Sequence, residues 1–347
     1  MTENFQKQDF LEKIKTINSK DNIKKYFDKI KTLKILVIGE AIIDEYQYCD
    51  ALGKSGKEAM LVMRYLYKER FAGGILAVAN HVAQFCDSIQ MATYLGSENL
   101  EEDFLRSHLK ENIIPFFITK SQSPTIVKRR IIDQYSLAKL LGVYEINDEL
   151  LSENEEDQFC EILKNLIPYV DAVVVTDYGH GLITPRVIDL LVKSSPFLAV
   201  NTQINASNIG YHTISKYPKA DFVCIHEGEL RMDFRSRKRN LEDLVLELAN
   251  RLECNSILIT RGSNGTITYD KKNGFIHCPA FATKVVDRIG AGDAVFAVTS
   301  LLAATKTPSE IVNFIGNMVG SQAVRIIGNE RAIDKNQLIE SIESILG

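Results

Sequence analysis

The sequence has no tryptophan, and none of its six cysteines stands in a C-x-x-C pair. Cys49, Cys86, Cys160, Cys224, Cys254 and Cys278 are scattered, and no charged-then-apolar leader precedes them. These absences argue against a disulfide framework and a redox dithiol, and lead to the expectation of reduced thiols in a cytoplasmic protein. No apolar run approaches the ~20 residues of a membrane span, so no membrane association is expected. An excess of positive charge is missing too. Lys and Arg number 41 against 45 Asp and Glu, a formal net charge of −4. Without a global basic field, nucleic acid is not an expected partner. The one local basic run, Arg231 to Arg239, reads as a solvated loop or helix end. The six histidines lack metal-ligand spacing, which argues against a transition-metal site.

What is present suits a folded chain of 347 residues with a substantial core. Residues 1–32 are polar and Lys-rich, with apolar residues near helical spacing, and predict an N-terminal helical extension. From about residue 33 to 347, short apolar runs alternate with helical stretches. Lys34–Gly39, Ala172–Thr176, Phe197–Val200, Asp221–Ile225 and Ser256–Thr260 read as strands, and Thr184-Pro185 fits a helix start. The alternation predicts an α/β fold, a central mostly parallel sheet with helices on both faces. Strand-like pieces at Met60–Tyr67 and Ile113–Asp133 break it. They are expected to form a small β lid, at about residues 45–70 and 113–135.

One stretch invites chemistry. Val285-Val286 leads into Asp287-Arg288-Ile289-Gly290-Ala291-Gly292-Asp293, and an apolar helix-compatible run follows. Glycines there let a backbone approach an anion, and the helix start offers free N–H groups and a positive dipole end. Asp293 would stand beside that anion as a proton acceptor. The residues alone also allow a plain strand-to-helix joint with an acidic first turn. Asp44 follows the first buried strand, where open α/β sheets bind ligands, although a turn or cap is equally consistent. Gly73-Gly74 precedes a helix containing Asn80, whose amide needs a partner, either a sugar hydroxyl or backbone. Lys128 and Arg130 fall on one face of a strand and Arg129 on the other.

Taken together, these residues resemble the PfkB (ribokinase-like) carbohydrate kinase family over about residues 33–330. Asp287–Asp293 is similar to the signature D-T-x-G-A-G-D, with Arg288 for Thr. Gly73-Gly74 with Asn80 resembles G-G-x-x-x-N, with Asn80 late. Gly39-Glu40 to Asp44 resembles G-D-x-x-x-D, and Thr260-Arg261-Gly262 with Gly265 resembles T-x-G-x-x-G. Within the family, Asp44–Tyr48, Pro124-Thr125 with Lys128 and Arg130, and Thr176–Gly181 look like stretches of heptose-phosphate kinases, whose kinase domain often sits beside a nucleotidyltransferase domain. There are departures. Asn201 and Gln203 stand where those enzymes carry an acid and a base, His226 replaces Asn in N-x-x-E, and His180 replaces Lys.

The resemblance implies a ribokinase-like fold and phosphoryl transfer from ATP, with Mg2+ and room for a monovalent cation, to a sugar or sugar-phosphate hydroxyl. It implies Asp293 as base, with the amides of Gly290, Ala291 and Gly292 stabilising the γ-phosphoryl. Asp44, Gly73, Gly74 and Asn80 would hold the acceptor, and Lys128 and Arg130 would approach its phosphate. His226, Thr260, Gly262, Gly265 and Asn317 would lie near the nucleotide, and Glu229 near the metal. The lid strands offer a route to a homodimer by sheet pairing, and a separate nucleotidyltransferase is a conceivable partner. Two other readings stay open: a kinase-like module that binds sugar or nucleotide without turnover, and a kinase for another acceptor such as a nucleoside. A nicotinamide-dependent dehydrogenase fits poorly, because Gly39–Asp44 is not G-x-G-x-x-G.

Overall fold

Runs such as Val173-Val174-Val175, with no solvent exposure at all, form strands because they can be buried on both faces only inside a helix-covered sheet. In the computed structural model, which describes residues 2–17 and 20–347, the chain opens with α1 (Thr2–Ile17), α2 (Lys20–Lys31), β1 (Lys34–Gly39), β2 (Ala41–Lys54) and β3 (Leu61–Gly74). Next come α3 (Ile75–Val82), β4 (Ser88–Gly96), α4 (Glu102–Ser107), β5 (Ile113–Lys120), β6 (Ile126–Asp133) and β7 (Lys139–Glu145). The middle holds α5 (Glu153–Leu166), β8 (Ala172–Asp177), α6 (Pro185–Ser194), β9 (Leu198–Thr202), β10 (Phe222–His226), α7 (Glu227–Asp233) and α8 (Leu241–Arg251). The last part is β11 (Ser256–Thr260), β12 (Thr266–Asp270), β13 (Gly274–Cys278), α9 (Ala291–Ala304), α10 (Ser309–Ala323) and α11 (Lys335–Leu346).

Nine strands make the main sheet, in the order β13-β12-β11-β10-β9-β8-β1-β4-β5. Neighbours from β11 to β5 run parallel, and β12 and β13 close one edge antiparallel. The carboxyl ends of β1, β8, β9, β10 and β11 therefore open on one edge of the sheet. The second sheet has four strands, β3-β2-β6-β7.

The lid differs from the sequence expectation in three ways. Ile113–Lys120 does not belong to it; β5 pairs with β4 at eight positions and forms the far edge of the main sheet. An apolar run of that length suits either sheet, and only the register, which buries Ile113 and Ile118, decides. The strand that does complete the lid, β7, pairs with β6 and was not expected. The hairpin β2–β3 is also longer than residues 45–70.

α1 and α2 pack on the main body. Phe10 lies against Phe314 of α10, with ring centroids 6.2 Å apart, and Phe27 stacks on Phe85 at 5.7 Å. Ile14, Ile23 and Ile30 are fully buried in the same hydrophobic cluster as α9 and α10. At ~1.5–3 kcal/mol per fully buried side chain, this contact is a substantial part of the fold. All six cysteines are buried and unpaired. Among the described residues, no helix is long and apolar enough to cross a membrane.

Candidate active site

The glycine turn is held by local backbone demands. Gly290 has φ 77° and caps α9. A Cβ on it would stand 2.1 Å from Asn329 Oδ1, so no larger residue fits there. A Cβ on Gly292 would meet nothing within 4 Å, so the first turn of α9 faces open space. A free helix N-terminus facing open space suits an anion. The N–H of Ala291 reaches back to Arg288 O at 3.4 Å, and Arg288 itself is exposed.

Asp293 sits in that first turn and is 7% exposed. The Tyr178 hydroxyl donates to its Oδ1 at 3.0 Å. Burial pushes the Asp293 carboxyl up to about 7; the Tyr178 hydrogen bond and Lys128 oppose this, and Asp44 reinforces it. Tyr178 is itself fixed from below. Its N–H and that of His180 each donate to the fully buried Glu40 carboxylate at 3.0 Å. Glu40 directly follows β1 and so ties the β8 loop to the strand beside it.

Asp44 lies opposite, on β2. It accepts from Arg130 and, at 3.2 Å, from Asn329 Nδ2. Arg130 is thus committed to a carboxylate rather than left free for a phosphate. Gly73 is required here, because a Cβ on it would be 2.3 Å from Asp44 Oδ2. Gly74, at φ 57°, would likewise collide with Glu40 O at 2.5 Å. The double glycine makes room for this chain's own carboxylate and carbonyl. Lys128 does face the same side as Arg130. Its ammonium lies about 6.0 Å over the Tyr178 ring and 5.9 Å over Tyr144. Among the described residues it has no carboxylate partner within ion-pair distance. Burial pushes it below the ordinary lysine range, opposed chiefly by Asp44. Arg129, on the other face, binds Glu45 at 2.6 Å. Burial alone would raise Glu45, yet hydrogen bonds from Arg129, Lys68 and Gln47 bring it down to about 2.

Asn80 lies on α3, on the lining of a cavity that Asn329 also borders. Its Nδ2 donates to His108 O at 2.8 Å and its Oδ1 accepts from Lys110 N at 3.0 Å. Of the two partners the sequence allowed, backbone takes both ends of the amide.

On the other side of the turn, Glu229 is the third residue of α7. Its two oxygens accept from the N–H groups of His226 (2.8 Å) and Ile204 (3.2 Å). Burial nevertheless pushes it up to about 7, against both of those bonds and with Asp293 reinforcing. His226 caps α7, its Nδ1 accepting from Gly228 N, and burial lowers its pKa. Thr260 is its register partner on β11. Gly262, at φ 57°, borders open space, whereas Gly265 (φ 76°) is packed so that a Cβ would touch Cys278 O. Asn317 is occupied at both ends, accepting from Phe281 N at 3.1 Å and donating to Thr266 Oγ1 at 3.3 Å. Gly265 and Asn317 thus shape the backbone around this space.

Asn201 and Thr176 are register partners on β9 and β8. Asn201 donates to Cys224 O, but among the described residues its Oδ1 and the Thr176 Oγ1 find no hydrogen-bond partner although both are buried. His180 is fully buried, with Nδ1 2.6 Å from Asp148. Among the described residues, no three acidic, Cys or His side chains form a metal cage. A single carboxylate, Glu229, suits a hard cation that keeps waters and takes phosphate oxygens rather than one caged by protein.

The lid and the turn meet at Asp287. Lys139 of β7 reaches it at 2.7 Å, Tyr46 of β2 at 3.1 Å, and the N–H groups of Gly328 and Ile289 at 3.0 and 3.2 Å. Burial would raise its carboxyl, but Lys139 and the two amides hold it below the usual range. Glu40 and Tyr178 fell within motifs without their partners being named, and Asn329 and Lys139 carried no local sequence signal, since each acts across more than a hundred residues.

The model for the pfkB family carbohydrate kinases matches residues 32–335. Among curated proteins, the bifunctional protein HldE of Koribacter versatilis is 25% identical over 313 residues, covering 89% of this chain and 63% of that protein. This chain therefore spans under two thirds of that relative's length. HldE of Campylobacter jejuni subsp. doylei is 26% identical over 326 residues (90% and 68%). An uncharacterized sugar kinase of Buchnera aphidicola is 24% identical over 321 residues, covering 91% of this chain and 98% of that one. Among solved structures, phosphofructokinase-2 from Escherichia coli in complex with potassium superposes with a TM-score of 0.71 at 16% identity, over 91% and 99% of the two chains. A ribokinase from Thermotoga maritima gives 0.65 at 17%, over 90% and 99%. These structures establish a ribokinase-like α/β fold. With the family match covering most of its length, the chain belongs to the pfkB family of carbohydrate kinases and is a sugar kinase.

Proposed function

We propose that this kinase transfers the γ-phosphoryl group of ATP to a hydroxyl of a heptose-phosphate-like acceptor, with Asp293 as general base. The observation that carries the reading is a buried carboxylate, raised to about 7, in the first turn of a helix whose N-terminus faces open space. A base with a pKa near the working pH combines a useful ionised fraction with driving force for proton transfer. The acceptor hydroxyl would give its proton to Asp293 as its oxygen attacks the γ-phosphorus, and ADP would leave. The N–H groups of the glycine turn, Gly292 above all, would receive the charge that develops on the phosphoryl oxygens. Lys128 would add a cation from the lid side. Mg2+ would be held by phosphate oxygens and water beside Glu229, where it would supply charge neutralisation. Asp44, itself anchored by Arg130 and Asn329, would accept hydrogen bonds from acceptor hydroxyls. Thr260, His226 and Gly262 would border the nucleotide.

The heptose reading draws on the HldE relatives, and their second activity suggests a separate nucleotidyltransferase as a functional partner. Exposed Leu61, Tyr65 and Leu141 on the lid support a homodimer through that sheet. Leu141→Lys should then turn a dimer into a monomer in light scattering. The deciding experiment is ADP release against a panel of sugar phosphates and nucleosides. Heptose phosphates should turn over fastest. Binding without ADP release from any of them would replace the enzyme by a sensing module.

A further inference from the structure

Beside Asp44 lies a cavity of about 390 Å³ whose lining includes Arg70, Ala77, His81, Lys110, Asn329 and Arg331. Asn329 lines it and also donates to Asp44, so the cavity continues the acceptor end of the cleft. Its charges differ from those in the cleft centre. Arg130 is neutralised by Asp44, and Arg70 on the cavity wall is taken by Glu101 at 2.6 Å. Among the described residues, Lys110 and Arg331 have no carboxylate partner, and both are exposed at the rim. Glu330 is the one carboxylate on the lining.

His81 supplies an independent observation. It is 4% exposed, and its Nδ1 lies 3.1 Å from Ile333 N. A backbone N–H can only donate, so Nδ1 accepts and the ring proton is on Nε2. Burial, which pushes His81 down to about 4, keeps the ring neutral. Nε2–H has no protein partner among the described residues. The ring lines the cavity, so this N–H is a donor open to a bound group.

We propose that this cavity is an anion subsite that binds a phosphate carried by the acceptor at the end remote from the reacting hydroxyl, through Lys110, Arg331 and the Nε2–H of His81. The proposal rests on the reading of the Asp44 side as the acceptor end. It moves recognition of the existing phosphate away from Arg130. Two cations and a neutral donor suit a phosphate dianion, with Arg offering a fork and Lys a point charge.

The test uses the full chain and inorganic phosphate as probe, with magnesium and a non-hydrolysable ATP analogue added to fill the glycine turn. The double variant Lys110→Ala/Arg331→Ala should bind phosphate at least ~10-fold more weakly, since charge-assisted hydrogen bonds are the strong ones. Both side chains are exposed, so thermal unfolding should stay unchanged. Glu330→Gln should tighten binding. Equal phosphate affinity in the wild type and the double variant would overturn the subsite. The titration needs no turnover, so it separates the two readings. If phosphate binding depends on Lys110 and Arg331 but no sugar phosphate is consumed, the subsite stands and the acceptor assignment falls. Where turnover is seen, the double variant should raise KM for a phosphorylated acceptor and not for its parent sugar.

Discussion

Asp44 and Asp293 face one cleft from opposite walls and live in opposite environments. Asp44 comes from a lid strand, and an arginine and an asparagine clamp it. Asp293 comes from a helix start and is buried; among the described residues it has no paired cation and only a tyrosine hydroxyl as a bonded partner. Its carboxyl rises to about 7. The same residue type is thus clamped in one place and, as proposed, left to exchange a proton in the other, and the surroundings decide which. Cation placement follows the same division. Arg130 contacts Asp44, whereas among the described residues Lys128 makes no ion pair with Asp293.

The largest effect should come from breaking the proton-exchanging side. Asp293→Asn should lower turnover by roughly 10²–10⁴ while ATP still binds. Undiminished ADP release would remove Asp293 as the base. Breaking the clamped side should act on stability first. Asp44→Ala strands a mostly buried Arg130 and should cost about 3–5 kcal/mol in a urea titration, as loss of one partner of a buried pair does. Adding Arg130→Met should recover most of that loss, and recovery of none would mean the pair is not the source.

Tyr178→Phe sharpens the comparison further. Loss of a hydrogen bond to the carboxylate should move the acid limb of kcat/KM up by about one pH unit. An unmoved limb with reduced stability would make Tyr178 merely structural. The groups facing Asp293 are Tyr178, Asp44, Lys128 and Glu229. Stability should run the other way from activity. A carboxyl raised on folding contributes stability that is complete below its unfolded value, near 4, and is lost as pH rises through about 7. The free wild-type chain should therefore lose stability across that window while its activity rises, and Asp293→Asn should flatten the loss. The smallest effect belongs to Lys139→Ala. Its ion pair with Asp287 is partly exposed and should be worth ~0.2–1 kcal/mol, seen as a small fall in unfolding temperature.

The sequence made the sheet, the turn and Asp293 legible because each rests on local rules. Buried parallel strands must be apolar throughout, and Gly290 cannot carry a Cβ beside Asn329. The Lys128/Arg129/Arg130 alternation was legible for the same reason, because strand side chains point to alternate faces. Partners were not legible. Asn329 reaches Asp44 across 285 residues and Tyr178 reaches Asp293 across 115, and no periodicity records such contacts. Asn80 left two readings open because a polar residue in an apolar helix needs a partner without naming it, and backbone takes one bond at each end of its amide. β5 misled because an edge strand of one sheet and a lid strand of another have the same pattern.

The packing of α1 and α2 has a consequence in time. Phe10 leaves the ribosome about 300 residues before Phe314, and Lys24 well before its ion-pair partner Glu343 on α11. At ~5–20 residues per second, these helices wait roughly 15–60 s for the surface that buries them. On stalled nascent chains α1 should stay open to protease until α10 has emerged, and early protection would refute the delay. α1 and α2 are thus made well before the surface that buries them, and they settle only after that surface has emerged.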